Sequence, residues 1–544
     1  MKHHARMRHG VLAMIWLLLG AMIVGRLVGL LKQQQFLSDK SRYASHKTHT
    51  YQSTRGQIVA QNGAIVAYDK SYKSLAINPR VILKKEYLIS RLARVMGVAP
   101  VSLTKKISAR KKSHFMWLKR FMVVQDQSID EDLRDIEGVY WLPDRQRSYP
   151  YSDEMGPIIG RTDVDGAGIE GLEYQLDKQL KGKSGYEKII ITPQGDTVEV
   201  VERKHQVISP EVRISLDPCI QHQAHETIRE AVERHQALRG GAIVIDIPTG
   251  QIKALVHVHN TNRSHGANTQ KAWMLTDLYE PGSLFKPISM SYVLAQSKEN
   301  IRDKIVQTHQ GQWHFNKETI IDVHKASEMS VVDVLTKSSN IGMSKLILEV
   351  PRGIQRWVVE QWPILSRTGL GFPGEPRGRV VSNPSEFETA TLSFGYGISM
   401  TMMQLAKAYL AIANGGFEQP ICLVNCNKSG TVFTKQRVMS EETHQLLKHM
   451  LTRAVSKGGT GYKAQSKGSS VAGKTGTAHK ISQGKYQKNR YVASFAGFSP
   501  VDKPKWVVVV LIDDPLSKGY YGGEVAAPLF SHIVFDSAFQ CKSK

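Results

Sequence analysis

From Gly10 to Leu31 the chain is apolar throughout, with Arg26 as the only charged residue. As a helix, twenty-two residues reach about 33 Å, enough to cross a hydrocarbon core of roughly 30 Å. Lys2, Arg6 and Arg8 precede the run, which favours an inside N-terminus and an outside bulk. Arg26 lies near the far end and can snorkel to the headgroups. A cleaved signal would be shorter and followed closely by a small-x-small site. Neither holds here, so the run is expected to remain as a single anchor. No second apolar run is as long.

After the anchor the pattern changes to short periods. Residues 32–54 are polar and basic and are expected as a tether or exposed helix. Gln57–Ala60 and Ala64–Ala67 are strand-like runs around Asn62-Gly63, a strong hairpin turn signal. Tyr87–Met96 has the spacing of an amphipathic helix, and Leu176–Leu180 of a short one. Ile189–Ile191, Val198–Val201 and Val212–Leu216 are expected as strands. From about residue 238 the runs lengthen. Gly241–Asp246 and Ile252–Val256, joined at Thr249-Gly250, are expected as an antiparallel pair. Tyr491–Phe498 and Trp506–Ile512 are strong strand candidates far along the chain. The stretch between them is mainly helical: Ser289–Ser297, Val331–Leu348, Met402–Ala413 and Glu441–Ser456, with Phe530–Val534 as a closing helix. A sheet built from both ends of a domain, with a helical region inserted, is the expected product.

Composition narrows the class. The 544 residues exceed one ordinary domain, and 41% hydrophobic with 22% charged residues is globular. The 72 basic and 48 acidic residues leave a net charge of +24. Basic residues are spread along the chain without a zinc-finger or RNA-binding signature. Nucleic acid is therefore not an expected partner, and a solvated basic surface or attraction to anionic lipid or wall polymer accounts for the charge. Four cysteines, Cys219, Cys422, Cys426 and Cys541, are too few for a disulfide scaffold, and Cys422 and Cys426 have no second nearby pair or histidine at finger spacing to complete a zinc site. They are expected as free core residues, with a local Cys422–Cys426 pair as the alternative in an exported domain. No metal or cofactor is expected.

Three short motifs carry the chemistry. Ser283 and Lys286 lie three apart in Tyr-Glu-Pro-Gly-Ser-Leu-Phe-Lys. Pro281-Gly282 opens a helix, so Ser283 sits beside free N–H groups and Lys286 shares its face one turn on. A serine hydroxyl needs a base at roughly 3 Å, and a lysine is a base only if burial or another cation lowers its pKa. Alone, a helix cap and a solvated lysine explain the pair. Ser338-Ser339-Asn340 comes second: Ser338 can relay a proton, and Asn340 can bind substrate backbone or orient Lys286. Alone, this motif reads as a cap and turn. Third, Lys474-Thr475-Gly476-Thr477 reads as a sheet-edge strand where glycine admits an added strand. Lys474 offers positive charge to a carboxylate, and Thr475 and Thr477 offer hydroxyls. The backbone N–H groups of Ser283 and Thr477 are the oxyanion-hole candidates.

Two motifs mislead. Gly166–Gly171 has dinucleotide-fingerprint spacing, but a polar, turn-like stretch precedes it where a strand is required. Gly468–Thr475 fits a P-loop, but Tyr462–Lys467 is polar and Gly476-Thr477 opposes a following helix.

Together the three motifs resemble those of the penicillin-binding and serine β-lactamase superfamily. The likeness extends to Arg55-Gly56-Gln57-Ile58, Asn62-Gly63, Arg147-Ser148-Tyr149-Pro150 and Gly171-Leu172-Glu173, which look like pedestal motifs of class B penicillin-binding proteins. It includes Phe394–Ser399, Thr401-x-x-Gln404-Leu405, Asn414-Gly415-Gly416 and Tyr520–Gly523. With Tyr491–Phe498, the last region is most similar to the division-type transpeptidases of the penicillin-binding protein 3 kind. Two departures stand out: Ala60-Gln61-Asn62-Gly63 where the family often has Asp-Arg-Asn-Gly, and an altered stretch around His257–Ser264. Neither removes a catalytic group; both leave room for a paralogue with altered partners.

The resemblance implies an α+β protein with a transmembrane helix, an extended α+β pedestal, and a transpeptidase domain of antiparallel sheet plus helical region. The expected boundaries are a cytoplasmic N-terminus 1–9, anchor 10–31, juxtamembrane segment 32–54, pedestal 55–237, transpeptidase domain 238–538 and tail 539–544. It implies a serine-type D-Ala-D-Ala transpeptidase that cross-links peptidoglycan stem peptides during septal synthesis. Ser283, Lys286, Ser338, Asn340 and Lys474 would be catalytic, and Thr475, Gly476 and Thr477 would bind substrate. β-Lactams would acylate Ser283. Division proteins, among them a membrane-embedded septal glycosyltransferase, would be partners, in the inner membrane with the bulk periplasmic and enriched at the division site. An elongation-type enzyme, and a weakly active scaffold or β-lactam-binding paralogue, are the competing readings. The pedestal and anchor disfavour a D,D-carboxypeptidase or β-lactamase.

Overall fold

A computed structural model describes residues 2–541 except 52, 123–132, 134–135, 192–196, 208, 264–270, 298–300, 316, 427–435, 466–467, 483–484 and 517–518. The chain forms two compact units. One comprises Met1–Arg55 with Lys181–Ser209, the other Gly56–Leu180 with Pro210–Lys544.

The first unit begins with one helix, Lys2–Ser45. Within its Gly10–Gln34 segment the most apolar stretch of 18 residues has a mean hydropathy of 2.3, and none of that stretch is buried in protein. Trp16 is 73% exposed, as expected on a segment long and apolar enough to cross a membrane. In the segment 32–54, expected as a tether or exposed helix, the helix continues to Ser45, and His46–Tyr51 then pairs antiparallel with Gly185–Ile191. Thr197–Lys204 completes this three-stranded sheet.

The second unit opens with the hairpin anticipated at Asn62-Gly63. Ile58–Val59 pairs with Ile65–Ile77, Gly63 takes φ +87°, and the Asn62 side chain accepts the Ala64 N–H at 3.0 Å. Ile65–Ile77 is flanked by Met116–Met122 and Val139–Ser148. The helices Glu86–Met96 and Pro100–Ser108 contribute Leu88, Leu92, Leu103 and Ile107 to a core shared with Leu75 and Ile77. Arg147 is buried and joins three of the pedestal motifs. It donates to Glu173 at 2.7 Å, to Asp69 at 3.1 Å and to the Gly56 carbonyl at 2.8 Å. That network is the physical reason these separated sequence motifs belong together.

The glycines at 166–171 are structural. A Cβ on Gly168 would stand 2.0 Å from the Glu173 carbonyl, and the helix that follows, Gly171–Gln175, has only five residues.

The main sheet runs in the order Gln251–His259, Arg239–Asp246, Trp506–Asp513, Lys485–Ser499, Ala472–Ser482, every pairing antiparallel. All eight residues of Trp506–Asp513 are buried, because helices cover both faces of that strand. Pro218–Arg234 and Gly522–Gln540 pack on one face through Ile228, Val508, Val510 and Phe530. Met402–Ala413 lies in the core of the other face. Ala472–Ser482 is an edge strand, with no helix after Lys474, so the P-loop spacing has no phosphate-binding geometry.

Three expectations need correction. Val331–Leu348 is two helices, Val331–Thr336 and Asn340–Leu348, broken at Ser338 in the left-handed region with φ +61°. The closing helix is Gly522–Gln540, longer than Phe530–Val534. The cysteines are not free: Cys219 pairs with Cys541 and Cys422 with Cys426. Cys219 lies in the first turn of one packed helix and Cys541 follows the end of the other. A sequence separation of 322 hides their neighbourhood.

Candidate active site

Ser283 lies in a 3-10 turn, Gly282–Phe285, that feeds the helix Lys286–Gln296. The turn is clamped from three sides. The Gly282 N–H donates to the Gly395 carbonyl at 3.3 Å, and Tyr279 and Met400 exchange two backbone bonds at 2.9 Å. The Tyr409 hydroxyl donates to the Leu284 carbonyl at 3.0 Å. Gly282 needs φ +53°, and a Cβ on Gly395 would lie 2.2 Å from the Gly282 carbonyl, so the two glycines allow this backbone approach. Glu280 adds a polar tie: it accepts the Gly397 N–H at 2.9 Å and the Tyr486 hydroxyl at 3.0 Å. Burial pushes its pKa up.

Lys286 is fully buried. Its ammonium faces three acceptors: the Ser338 carbonyl at 2.5 Å, the Ser338 hydroxyl at 3.1 Å and Asn340 Oδ1 at 2.8 Å. Those three contacts match three N–H donors, while burial disfavours the charge and brings the pKa down to about 7. The nearby Asp322 carboxylate opposes that fall. At neutral pH this lysine therefore divides between ammonium and amine.

The break at Ser338 makes this geometry. A continuous helix would spend the Ser338 carbonyl on its own ladder; the left-handed residue instead turns carbonyl and hydroxyl to Lys286. Ser339 caps the next helix, accepting the Gly342 N–H at 2.8 Å. Asp322, which lies in none of the three motifs, supports the whole turn. It accepts the Ser339 hydroxyl and the N–H groups of Asn340 at 2.5 Å and Ile341 at 3.0 Å. A carboxylate at a helix N-terminus is favourable there. Asn340 is held through its Nδ2, which donates to the Ile321 carbonyl at 2.9 Å, so its Oδ1 points to Lys286.

Lys474 is also fully buried, its ammonium donating to the Thr475 carbonyl at 3.1 Å. Burial, then the charge of Lys286, holds its pKa well below that of an ordinary lysine. Gly476 is required sterically: a Cβ would meet Ser494 Oγ at 2.4 Å and Leu284 Cγ at 2.8 Å. Thr475 donates to Thr460 at 2.9 Å, and Thr477 Oγ1 accepts the Gly522 N–H at 3.0 Å.

These pieces border one cleft of about 500 Å³. Ser283, Ser338, Asn340, Thr475 and Thr477 line it, while Lys286 and Lys474 stand behind its wall. The wall also includes Phe394, Tyr396, Tyr462 and Tyr521. Phe394 and Tyr396 belong to the Phe394–Ser399 stretch that resembles the family, and no local chemistry distinguishes Tyr462. A larger cavity of about 610 Å³ around Gln61, Arg213 and Asn425 contains no residue of the three motifs that carry the chemistry. Among the described residues no three His, Cys, Asp or Glu side chains converge as metal ligands.

Buried lysine, relay-capable serine and open edge strand make a site suited to acyl transfer through a serine. Comparison with known proteins agrees at the level of family. Residues 240–534 match the penicillin binding protein transpeptidase domain, and 50–209 match the penicillin-binding protein dimerisation domain. The chain is 32% identical over 512 residues to a probable peptidoglycan D,D-transpeptidase PenA of Neisseria meningitidis, covering 92% of this chain and 86% of that protein. It is 30% identical over 499 residues to the peptidoglycan D,D-transpeptidase FtsI of Escherichia coli K12, covering 89% and 83%. The transpeptidase domain of Burkholderia pseudomallei penicillin-binding protein 3 superposes with a TM-score of 0.54 at 33% identity, over 60% of this chain and 96% of that one. The chain belongs to the class B penicillin-binding proteins and carries their transpeptidase domain.

Proposed function

We propose that this peptidoglycan D,D-transpeptidase works through a Ser283 acyl-enzyme and serves septal wall synthesis. The observation that carries the mechanism is the buried Lys286, with its pKa brought to about 7, one helical turn from Ser283 and bonded to Ser338 and Asn340. Its amine form takes the Ser283 proton as Oγ attacks the carbonyl of the penultimate D-alanine of a donor stem peptide. The N–H groups of Ser283 and Thr477 receive the developing oxyanion. The C–N bond to the terminal D-alanine breaks, and the departing amine takes a proton passed from Lys286 through Ser338. The amine of a second stem then attacks the ester. A new C–N bond forms, the Ser283 C–O bond breaks and the serine regains its proton. Lys474 supplies electrostatic support for the substrate carboxylate, with Thr475 and Thr477 beside it. A β-lactam acylates Ser283 by the same attack.

The anchor and its preceding cations support an inside N-terminus with the catalytic bulk in the periplasm. Two disulfides in that bulk favour an oxidising compartment. The likeness to FtsI and to penicillin-binding protein 3 supports the septal assignment and, with it, a septal glycosyltransferase partner. Two experiments test the reading. Ser283→Ala should abolish covalent labelling by a fluorescent penicillin, and persistent labelling would sink the nucleophile assignment. Depletion should give filaments, whereas rounded cells would point to elongation.

A further inference from the structure

The positive charge is less evenly laid out than a residue-by-residue reading suggests. Residues 80–120 contain twelve Lys or Arg and one acidic residue, Glu86. This is a net +11 out of the chain's +24, in 41 residues. The densest part is Lys105, Lys106, Arg110, Lys111 and Lys112, all exposed, at the end of the helix Pro100–Ser108 and in the turn after it. Arg80 joins them by donating to the Lys112 carbonyl at 3.1 Å. Neighbouring cations have partners: Lys85 pairs with Glu137, and Arg120 with Asp144. Among the described residues none of these six has a carboxylate partner. The helix C-terminus accounts for Lys105 and Lys106, but not for Arg80 or for the three cations beyond the helix, Arg110, Lys111 and Lys112.

Aromatic side chains adjoin the cluster. Phe115 and Trp117, 42% and 37% exposed, meet edge to face at 5.0 Å. In the edge strand Met116–Met122, Met116 and Leu118 point to the core and Trp117 and Lys119 away from it. Across the sheet, Ala76 is in register with both Trp117 and Tyr140. Tyr140 is 39% exposed. Two aromatic side chains thus flank a small residue on the sheet's outer face; Arg120, paired with Asp144, stands over one side of the Trp117 ring at 5.3 Å, and Phe115 follows the Arg110–Lys112 cations by three residues. Exposed aromatic area near cations that have no carboxylate partner among the described residues is the composition of a binding face rather than of a solvated one.

We propose that this pedestal face is a second, non-catalytic contact for the wall polymer itself: a glycan strand whose sugar faces stack on the aromatic rings and whose stem-peptide carboxylates meet the cations. The proposal rests on family membership, not on the septal assignment. None of these residues lines the catalytic cleft. A second contact on the same polymer would raise the local concentration of stem peptides at the cleft.

The test uses the full chain in detergent with Ser283 blocked by a β-lactam, so that the cleft makes no covalent contribution, and measures co-sedimentation with purified sacculi. Combined Lys105→Gln, Lys106→Gln, Arg110→Gln, Lys111→Gln and Lys112→Gln should weaken binding about tenfold at low salt and flatten its salt dependence. Trp117→Ala should weaken binding with the salt dependence intact. Unblocked samples of both variants should be labelled by penicillin at the wild-type rate, which reports a native fold. Solubilised glycan strands should compete. Unchanged sedimentation of the five-fold variant overturns the proposal. Displacement by anionic-lipid micelles but not by glycan strands also overturns it, in favour of a membrane surface. The acidic residues Asp126, Asp130, Glu131, Asp132 and Asp135 lie outside the described residues. Neutralising them should leave binding unchanged; a rise above about threefold would identify that segment as the occupant and overturn the proposal.

Discussion

The pH dependence of acylation follows directly from the burial of Lys286. Its pKa falls from 10.5 to about 7, a depression worth roughly 5 kcal/mol against the charged form. Only the amine form can take the Ser283 proton. That form makes up about 9% of the enzyme at pH 6 and about 91% at pH 8 for a pKa near 7. The second-order acylation rate should therefore rise about tenfold between pH 6 and 8 and then level off. A lysine left at its ordinary value would give about a hundredfold rise over that interval and no plateau. Stopped-flow labelling of the full chain with a fluorescent penicillin, from pH 5.5 to 9, reads the profile. Asp322 opposes the depression, so Asp322→Asn should move the inflection to lower pH even if the loss of its helix-capping bonds lowers the rate. A rate that climbs with unit slope through pH 9 would refute the buried-base reasoning. An inflection that moves to higher pH in Asp322→Asn would contradict the stated electrostatics.

Other perturbations report on the scaffold around the site. Glu173→Ala leaves the buried Arg147 with, among the described residues, Asp69 as its one remaining carboxylate and should cost about 3 kcal/mol in denaturant unfolding; replacing Arg147 with Met as well should recover part of the loss. Ser338→Gly relieves the φ +61° position and should stabilise the fold by up to about 1 kcal/mol while slowing acylation, measured by thermal unfolding and penicillin labelling on the same samples. Cys219→Ala with Cys541→Ala opens a closure spanning 322 residues and should lower stability by about 2–5 kcal/mol, read by denaturant titration. Tyr486→Phe removes the hydroxyl bond to Glu280; acylation should slow with no change in the pH inflection set by Lys286.

The elements carrying the site were legible where local pattern and chemistry coincide. The apolar run at Gly10, the Asn62-Gly63 hairpin and the strands from both ends of the catalytic sheet all came from periodicity. Ser283, Lys286, Ser338, Asn340 and the edge strand were singled out by three spacings whose joint occurrence points to acyl transfer. What the pattern hid was tertiary. The break at Ser338 falls inside a helix-like run, because a single left-handed residue leaves no mark on hydrophobic periodicity. Asp322 follows two isoleucines and gains its role only when the helix Asn340–Leu348 docks its N-terminus there. Cys219 and Cys541 are brought together by the packing of two helices, which no local spacing encodes. Arg147, Glu173 and Gly56 were visible as motifs, but their shared buried network was not.

The central claim is that the acyl group on Ser283 passes to an amine. The direct test supplies the full chain in detergent with lipid-linked wall precursor and a glycan polymerase, then quantifies free D-alanine and digested muropeptides by mass spectrometry. The account predicts cross-linked dimers formed in step with D-alanine release, both lost in Ser283→Ala and both blocked by a β-lactam. Release of D-alanine without dimers would make water the acceptor and contradict it, as would dimers that persist in Ser283→Ala.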